Sequence, residues 1–349
     1  MGHAYRAVGW NRQKRRYDLV LTFGILAFLV LFIATSLAFD PTASIETLVL
    51  RAFGAGAILL LHVVLVIGPL TRLDRRFLPL LYNRRHLGVA MFGLAFLHGG
   101  FATLYYHGFG NTFPLVSVLS SNQRIDSLAQ FPFEILGAAA LAIFFLMAAT
   151  SHDFWLTNLS APVWKALHML VYVAYLLVVG HVVLGTLQGE TSRILQSVMA
   201  AGIATVVMLQ LWAGLLEWRK DHAPIASAAA DGFVPVGRLE DLVEGRGVTV
   251  SLAGDRVALF RHEGRVHALS NACQHQNGPL GEGRILNGCV VCPWHGYEYQ
   301  PSCGRSPEPF TEAVPTFRSR IEDGQVFLHP TPLAPGTETP GASIEGTMS

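Results

Sequence analysis

The sequence predicts a membrane α-helical bundle of six spans followed by a C-terminal all-β domain. Three observations predict it. Of 349 residues, 51% are apolar and only 14% charged, where a soluble domain typically carries about 25% charged residues. The apolar residues gather in six runs, at 18–39, 48–70, 87–106, 133–150, 163–187 and 194–218, each suited to a hydrocarbon core about 30 Å thick. Beyond Trp218 the pattern changes to short alternating stretches such as VTVSL, RVALFRH and RVHALS, broken by Gly-containing turns, which are strand and hairpin signals.

These breaks divide the chain into an N-terminal segment 1–17, a membrane domain 18–218, a linker 219–232, a β domain 233–330 and a tail 331–349. The tail, rich in Pro, Gly, Thr and Ser without an apolar period, reads as disordered. Basic residues favour the cytoplasmic side of a membrane. Arg6, Arg12, Lys14, Arg15 and Arg16 precede the first span, and Arg72, Arg75, Arg76, Arg84 and Arg85 lie between the second and third. Lys165, Arg219 and Lys220 fall on the same side, against only Arg51, Arg124 and Arg193 opposite. With six spans, both termini and the β domain are expected in the cytoplasm of a bacterial inner membrane. Residues 18–36 also read as a signal sequence, with Ser36-Leu37-Ala38 resembling a cleavage site, although the apolar run is long for one. The net charge of +1 argues against a nucleic-acid partner.

Four cysteines, three of them between 273 and 292, suit one metal site better than a disulfide framework. The segments CQHQNGPLGEG and CPWHGYEY read C-x-H, sixteen residues, then C-x-x-H. Thiolates stabilise ferric iron and bridge well with sulfide. Imidazoles on one iron remove negative charge, so an added electron is accepted more easily. The same residues, with Cys289 and Cys292 as a C-x-x-C, would also compose a zinc site, though C-x-H is tight for a zinc ribbon. The two segments resemble Rieske domains. The resemblance implies a [2Fe–2S] cluster with Cys273 and Cys292 on one iron and His275 and His295 on the other. High-potential Rieske proteins carry an extra cysteine in each loop, where this chain has Gly278 and Trp294, so the ferredoxin-type branch is the nearer likeness. Cys289 and Cys303 read as small buried hydrophobes.

An ionisable residue within a span is a functional candidate. The spans hold His62, His86, His98, His168 and His181, and bis-His ligation of haem b is one reason to place neutral imidazoles there. Each could instead make an interhelical hydrogen bond. At ~1.5 Å per residue, His98 lies ~19.5 Å from the cytoplasmic border and His181 ~24 Å, a level they could share. His168 at ~4.5 Å and His86 at ~1.5 Å could serve an inner haem, and His62 at ~15 Å matches that level poorly. On a straight helix His168 and His181 stand ~140° out of phase and His86 and His98 ~120°, so either the helices are deformed, near Gly180 or Gly93, or the haems occupy different sides. The segments RRHLGVAMFGLAFLHG and WKALHMLVYVAYLLVVGH resemble the ferric-reductase-like transmembrane domain over about residues 45–190, nearest to the haem subunit of the periplasmic methionine sulfoxide reductase system. That family's histidines map onto His98, His168 and His181, while His62 and His86 have no counterpart.

The chain is therefore expected to be an electron-transfer component that moves electrons between a cytoplasmic cluster and one or two membrane haems. No G-x-G-x-x-G dinucleotide fingerprint follows a strand, so a separate cytoplasmic reductase is the expected donor, and a membrane or periplasmic redox partner the expected acceptor. A transmembrane reductase of ferric ion, quinone or oxygen, and a redox or iron sensor, are the alternatives from other classes.

Overall fold

The structure, a computed structural model, describes residues 12–81, 83–121, 123–152, 155, 159, 161–188, 190, 192–221, 231–274, 277–294 and 296–344. All six apolar runs form helices: α1 (Arg12–Phe39), α2 (Ile45–Leu73), α3 (Arg84–His107), α4 (Phe133–Thr150), the pair α5 (Ala161–Met169) and α6 (Val171–Leu184), and α7 (Arg193–Asp221). Their length and composition make the chain a multi-pass membrane protein. Helix α2 begins where Ser44 accepts the Thr47 N–H at 3.3 Å, with Glu46 in the first turn facing the helix dipole. It is the hub of the bundle, packed on α1, α3 and α7, while α4 joins α3 to α6. Leu61 and Leu65 of α2 meet Met91, Phe144, Ala174, Tyr175 and Val206 in the core. Outward faces expose Leu19, Phe23, Phe96, Leu176 and Leu211, as hydrocarbon requires.

The fifth span is interrupted at Leu170 and not at Gly180, which lies within α6. The Leu170 N–H reaches back three residues to the Leu167 carbonyl at 3.2 Å, a tighter turn than the α-helix makes. Helix resumes at Val171. The phase counted on a straight helix between His168 and His181 therefore does not hold across this turn.

The C-terminal domain has strands β1 (Val234–Arg238), β2 (Gly247–Leu252), β3 (Asp255–His262), β4 (Arg265–Ser270), β5 (Arg284–Leu286), β6 (Cys289–Val291), β7 (Glu298–Tyr299), β8 (Ser319–Glu322), β9 (Gln325–Leu328) and β10 (Ala342–Ser343). They form three sheets, ordered β1-β9-β8, β10-β4-β3-β2 and β5-β6-β7. Two-residue turns set the registers: Ala253-Gly254 and Asp323-Gly324 hold positive φ at both positions, matching the twist of a hairpin. The third sheet is a small excursion that carries the cysteine loops.

The tail departs from expectation. Residues 331–344 are packed, with Leu333 N–H donating to Thr316 O and Thr339 N–H to Ser302 O. Ala342 and Ser343 pair with Val266 and Arg265, and Ile344 joins the core. Strand addition needs backbone groups and one or two apolar contacts, so it leaves no apolar period to read. Residues 345–349 lie outside the described residues.

The tail also buries His267 of β4. Its ring lies 2.8 Å from where a Cβ on Gly341 would stand. Burial, with His262 and Arg265 nearby, pushes its pKa down to about 4, with Glu263 opposing. The unfolded chain takes up this proton near pH 6.5, so between about 6.5 and about 4 it binds more protons than the fold, and stability is lost as the pH is lowered through that window. Denaturation of the full chain at stepped pH, followed through the C-terminal domain, is expected to show this acid limb and to find it flattened in His267→Leu.

Candidate functional site

Two loops of the C-terminal domain repeat one hydrogen-bond pattern. The Cys273 N–H donates to Gly278 O at 2.9 Å and the Asn277 N–H to Cys273 O at 2.7 Å. Equivalently, the Cys292 N–H donates to Tyr297 O at 2.8 Å and the Gly296 N–H to Cys292 O at 2.9 Å. The fourth residue after each cysteine has positive φ, 56° at Asn277 and 74° at Gly296, a conformation Asn and Gly adopt at least cost. Both cysteines are buried. His275 and His295, each inside one of these loops in sequence, lie outside the described residues. The loops abut: a Cβ on Gly278 would fall 2.6 Å from Cys292 Sγ and 3.3 Å from the Trp294 ring.

Tyr299 of β7 was not singled out from sequence. Its buried hydroxyl accepts the Gln274 N–H at 3.1 Å and lies 3.2 Å from Cys273 Sγ. With the oxygen already accepting, its proton is free to point at sulfur. Burial, then Cys273, pushes the phenol far above its ordinary pKa, so it stays a donor. Tyr297 is pushed up to about 12 by burial and by Glu312. Cys289 is half-buried, and the buried Cys303 thiol donates to Gln300 at 3.1 Å.

In the bundle His98 and His181 are brought together, ring centres 6.2 Å apart at 78°. Two imidazoles on opposite sides of one metal ion, each nitrogen roughly 2 Å from it, have ring centres about 6 Å apart, so the pair has the spacing to flank a metal. Each is held the same way. His98 Nδ1 meets the Leu50 carbonyl at 3.0 Å and His181 Nδ1 the Phe133 carbonyl at 2.9 Å, each carbonyl forty-eight residues upstream. Four residues beyond each carbonyl stands a glycine, where a Cβ would come within 3.0 Å of the His98 ring (Gly54) and 2.7 Å of the His181 ring (Gly137). With Nδ1–H given to a carbonyl, Nε2 carries the lone pair, which is the usual arrangement of a metal-ligating histidine. This duplicated cradle was missed from sequence, although its spacing is written there.

The other three histidines are not brought to that pair. His168 Nδ1 meets its own helix at Trp164 O, 3.0 Å, its Nε2 lies 3.3 Å from Ser151 Oγ, and its ring stacks on Trp164 at 3.7 Å. His86 turns to Asp18 at 2.6 Å. His62 is buried against Tyr175 and over Gly202, and its Nε2 has no hydrogen-bond partner.

Comparison with known proteins finds two family models on the chain. "Ferric reductase like transmembrane component" matches residues 53–179, and "Rieske [2Fe-2S] domain" matches residues 232–318. The ferredoxin component of an alkene monooxygenase system from Xanthobacter autotrophicus is 30% identical over 113 residues, which is 32% of this chain and 93% of that protein. The ferredoxin component of naphthalene 1,2-dioxygenase/salicylate 5-hydroxylase systems from Ralstonia sp is 30% identical over 97 residues, 28% of this chain and 93% of that one. The solved ferredoxin of carbazole 1,9a-dioxygenase from Nocardioides aromaticivorans aligns over 28% of this chain and 98% of its own, at 24% identity and a TM-score of 0.27.

A hydrogen bond to sulfur favours the more negative, reduced cluster. Tyr299→Phe is therefore expected to lower the reduction potential. A differential of ~1 kcal/mol corresponds to ~40 mV for one electron. Redox titration followed by EPR reads the shift, and an unchanged potential rejects the bond to Cys273.

Proposed function

The chain belongs to the Rieske [2Fe–2S] family through residues 232–318 and carries a ferric-reductase-like transmembrane component over residues 53–179, and from that premise we propose that it moves electrons between a cytoplasmic cluster and membrane haem. The observation that carries this reading is the matched pair His98 and His181, each with Nδ1 on a backbone carbonyl and its ring over a glycine. Single-electron carriage is the chemistry that a [2Fe–2S] cluster and a b-type haem supply when bound.

The chain's own residues do the rest. Cys273 and Cys292 are the thiolate ligands and His275 and His295 the imidazole ligands, set in two loops of one hydrogen-bond pattern. Tyr299 donates to Cys273 and, with Leu280, Val290 and Val314 around it, excludes water from the sulfur. Leu50 and Phe133 fix the tautomer of His98 and His181, so that both offer Nε2 to an outer haem. A second, inner haem would draw on His168, with His86 or His62 as its fourth ligand. The residues suit these groups in donor chemistry, and Gly54 and Gly137 supply the room.

The distribution of basic residues supports a cytoplasmic setting for both termini and the cluster domain, with a separate reductase as the donor. Relatives that are ferredoxin components of multi-protein systems support that division of labour. The acceptor is a redox partner in the membrane or on its far side.

Optical and EPR spectra of the purified protein, oxidised and reduced, test the reading. The expected result is a Rieske signal together with b-type haem bands. Zinc without acid-labile sulfide, or spans without haem, would overturn it. Gly137→Ala, which drives a Cβ against the His181 ring, is expected to diminish the haem bands and leave the cluster signal intact. His181→Ala should do the same, and unchanged bands in both variants would reject the pair as ligands.

A further inference from the structure

Trp294 sits between Cys292 and His295 in sequence, and its ring reaches the other cluster loop. Its ring lies 3.3 Å from where a Cβ on Gly278 would stand, in the loop that Cys273 heads. On the side facing the bundle it meets Trp164 of α5, ring centres 6.3 Å apart at 51°. Trp164 is held at three points. Its indole N–H donates to the Thr150 carbonyl at 3.1 Å, its ring stacks on His168 at 3.7 Å and 22°, and its own carbonyl meets His168 Nδ1 at 3.0 Å. Three aromatic rings thus run in series from the cluster loops to His168. A second tether comes from another helix: Glu217, near the end of α7, pairs with Arg256 of β3 at 2.7 Å.

Two contacts at separate points define an orientation, where one would leave the domain free to swivel. The ion pair is partly covered, its Arg256 and Glu217 side chains 38% and 20% exposed, and with that much solvent screening it contributes about 1 kcal/mol, so it steers the docked pose more than it holds it. Paired aromatic rings add roughly 0.5–1.5 kcal/mol beyond the area they bury. The rings are therefore the stronger contact, and they stand at the cluster.

We propose that Trp294 and Trp164 are positioning residues that dock the cluster loops on the bundle and carry electronic coupling from the cluster to His168. This rests on the electron-transfer reading above. The step is one electron: one cluster iron goes from ferrous to ferric, one haem iron goes from ferric to ferrous, no proton moves and neither indole is oxidised. An interfacial tryptophan that only anchors α5 among lipid headgroups would satisfy Trp164 alone. It would not explain a partner in the cluster loop.

The test uses the full chain, loaded with both groups, in lipid nanodiscs. Reduction of the cluster by a light flash is followed at the haem bands, and the coupled indole pair is followed by circular dichroism. Trp164→Leu and Trp294→Leu are each expected to abolish the same circular-dichroism couplet and to lose the fast phase of haem reduction, while the cluster EPR signal persists. Trp164→Phe, which keeps a ring, should recover part of that phase. Glu217→Gln is expected to make the fast phase smaller without changing its rate. Fast-phase kinetics unchanged in both leucine variants would overturn the proposal, as would a couplet that survives either of them. A wild-type protein that holds both groups yet shows no transfer would instead remove the reading beneath it.

Discussion

A neutral imidazole inside hydrocarbon has two nitrogens to satisfy, and at His98 and His181 the bundle settles one of them with a backbone carbonyl. An unpaired polar group in an apolar medium costs roughly 2–7 kcal/mol, a large part of a net stability of about 5–15 kcal/mol. At His98 and His181 the Nδ1 side is settled by a carbonyl on a neighbouring helix. A helical carbonyl already accepts from the residue four positions on, but it has a second lone pair to offer. Reaching it means lying flat against the helix surface over that fourth residue. Only glycine leaves that space, and Gly54 and Gly137 occupy the two positions. The tautomer, the ring orientation and the free nitrogen all follow from that one approach.

The C-terminal domain meets the opposite problem, since Cys273 and Cys292 are buried and, as cluster ligands, would be anionic sulfur in a protein interior. There the answer is hydrogen-bond donors and exclusion of water. Cys273 is buried within reach of the Tyr299 hydroxyl, and both loops curl so tightly that Asn277 and Gly296 take left-handed backbone. Gly278 lets Cys292 Sγ and Trp294 close down on the first loop. A cysteine at position 278, as in the high-potential branch, would put its Cβ against that sulfur. The small residue here favours a compact, unbridged pair of loops.

Much of this was legible in the sequence, and what was not has identifiable causes. The six spans and the β domain followed from composition and period, because hydrocarbon leaves few architectures open. The paired cysteine loops were visible as C-x-H and C-x-x-H, because residues that share a tight turn are near in sequence. Three features were hidden. The break at Leu170 involves no Pro or Gly, so no residue type announced it. The ordered tail 331–344 is held by backbone pairing and lone contacts such as Ile344, which leave no periodic trace. The meeting of Trp164 with Trp294 joins residues 130 positions apart across a domain boundary, and only the folded chain brings them together.

The membrane histidines carry one further lesson about symmetry. An offset of 83 relates Leu50 to Phe133, Gly54 to Gly137 and His98 to His181. The same offset relates the buried pairs Ala57 and Ala140, Leu61 and Phe144, Met91 and Ala174. The bundle thus contains two helical hairpins built to one plan, each contributing one imidazole to a shared level. At the inner end the correspondence fails: the offset takes His168 to Arg85, Trp164 to Leu81 and His86 to Met169. That failure has a physical reason. A ligand lying between two equivalent hairpins meets the same surroundings on both sides, so symmetry suits the outer level. A single cluster domain has one docking face and can rest its loops on only one hairpin. The hairpin of α4, α5 and α6 takes it, and there Thr150, Trp164 and His168 depart from the shared plan.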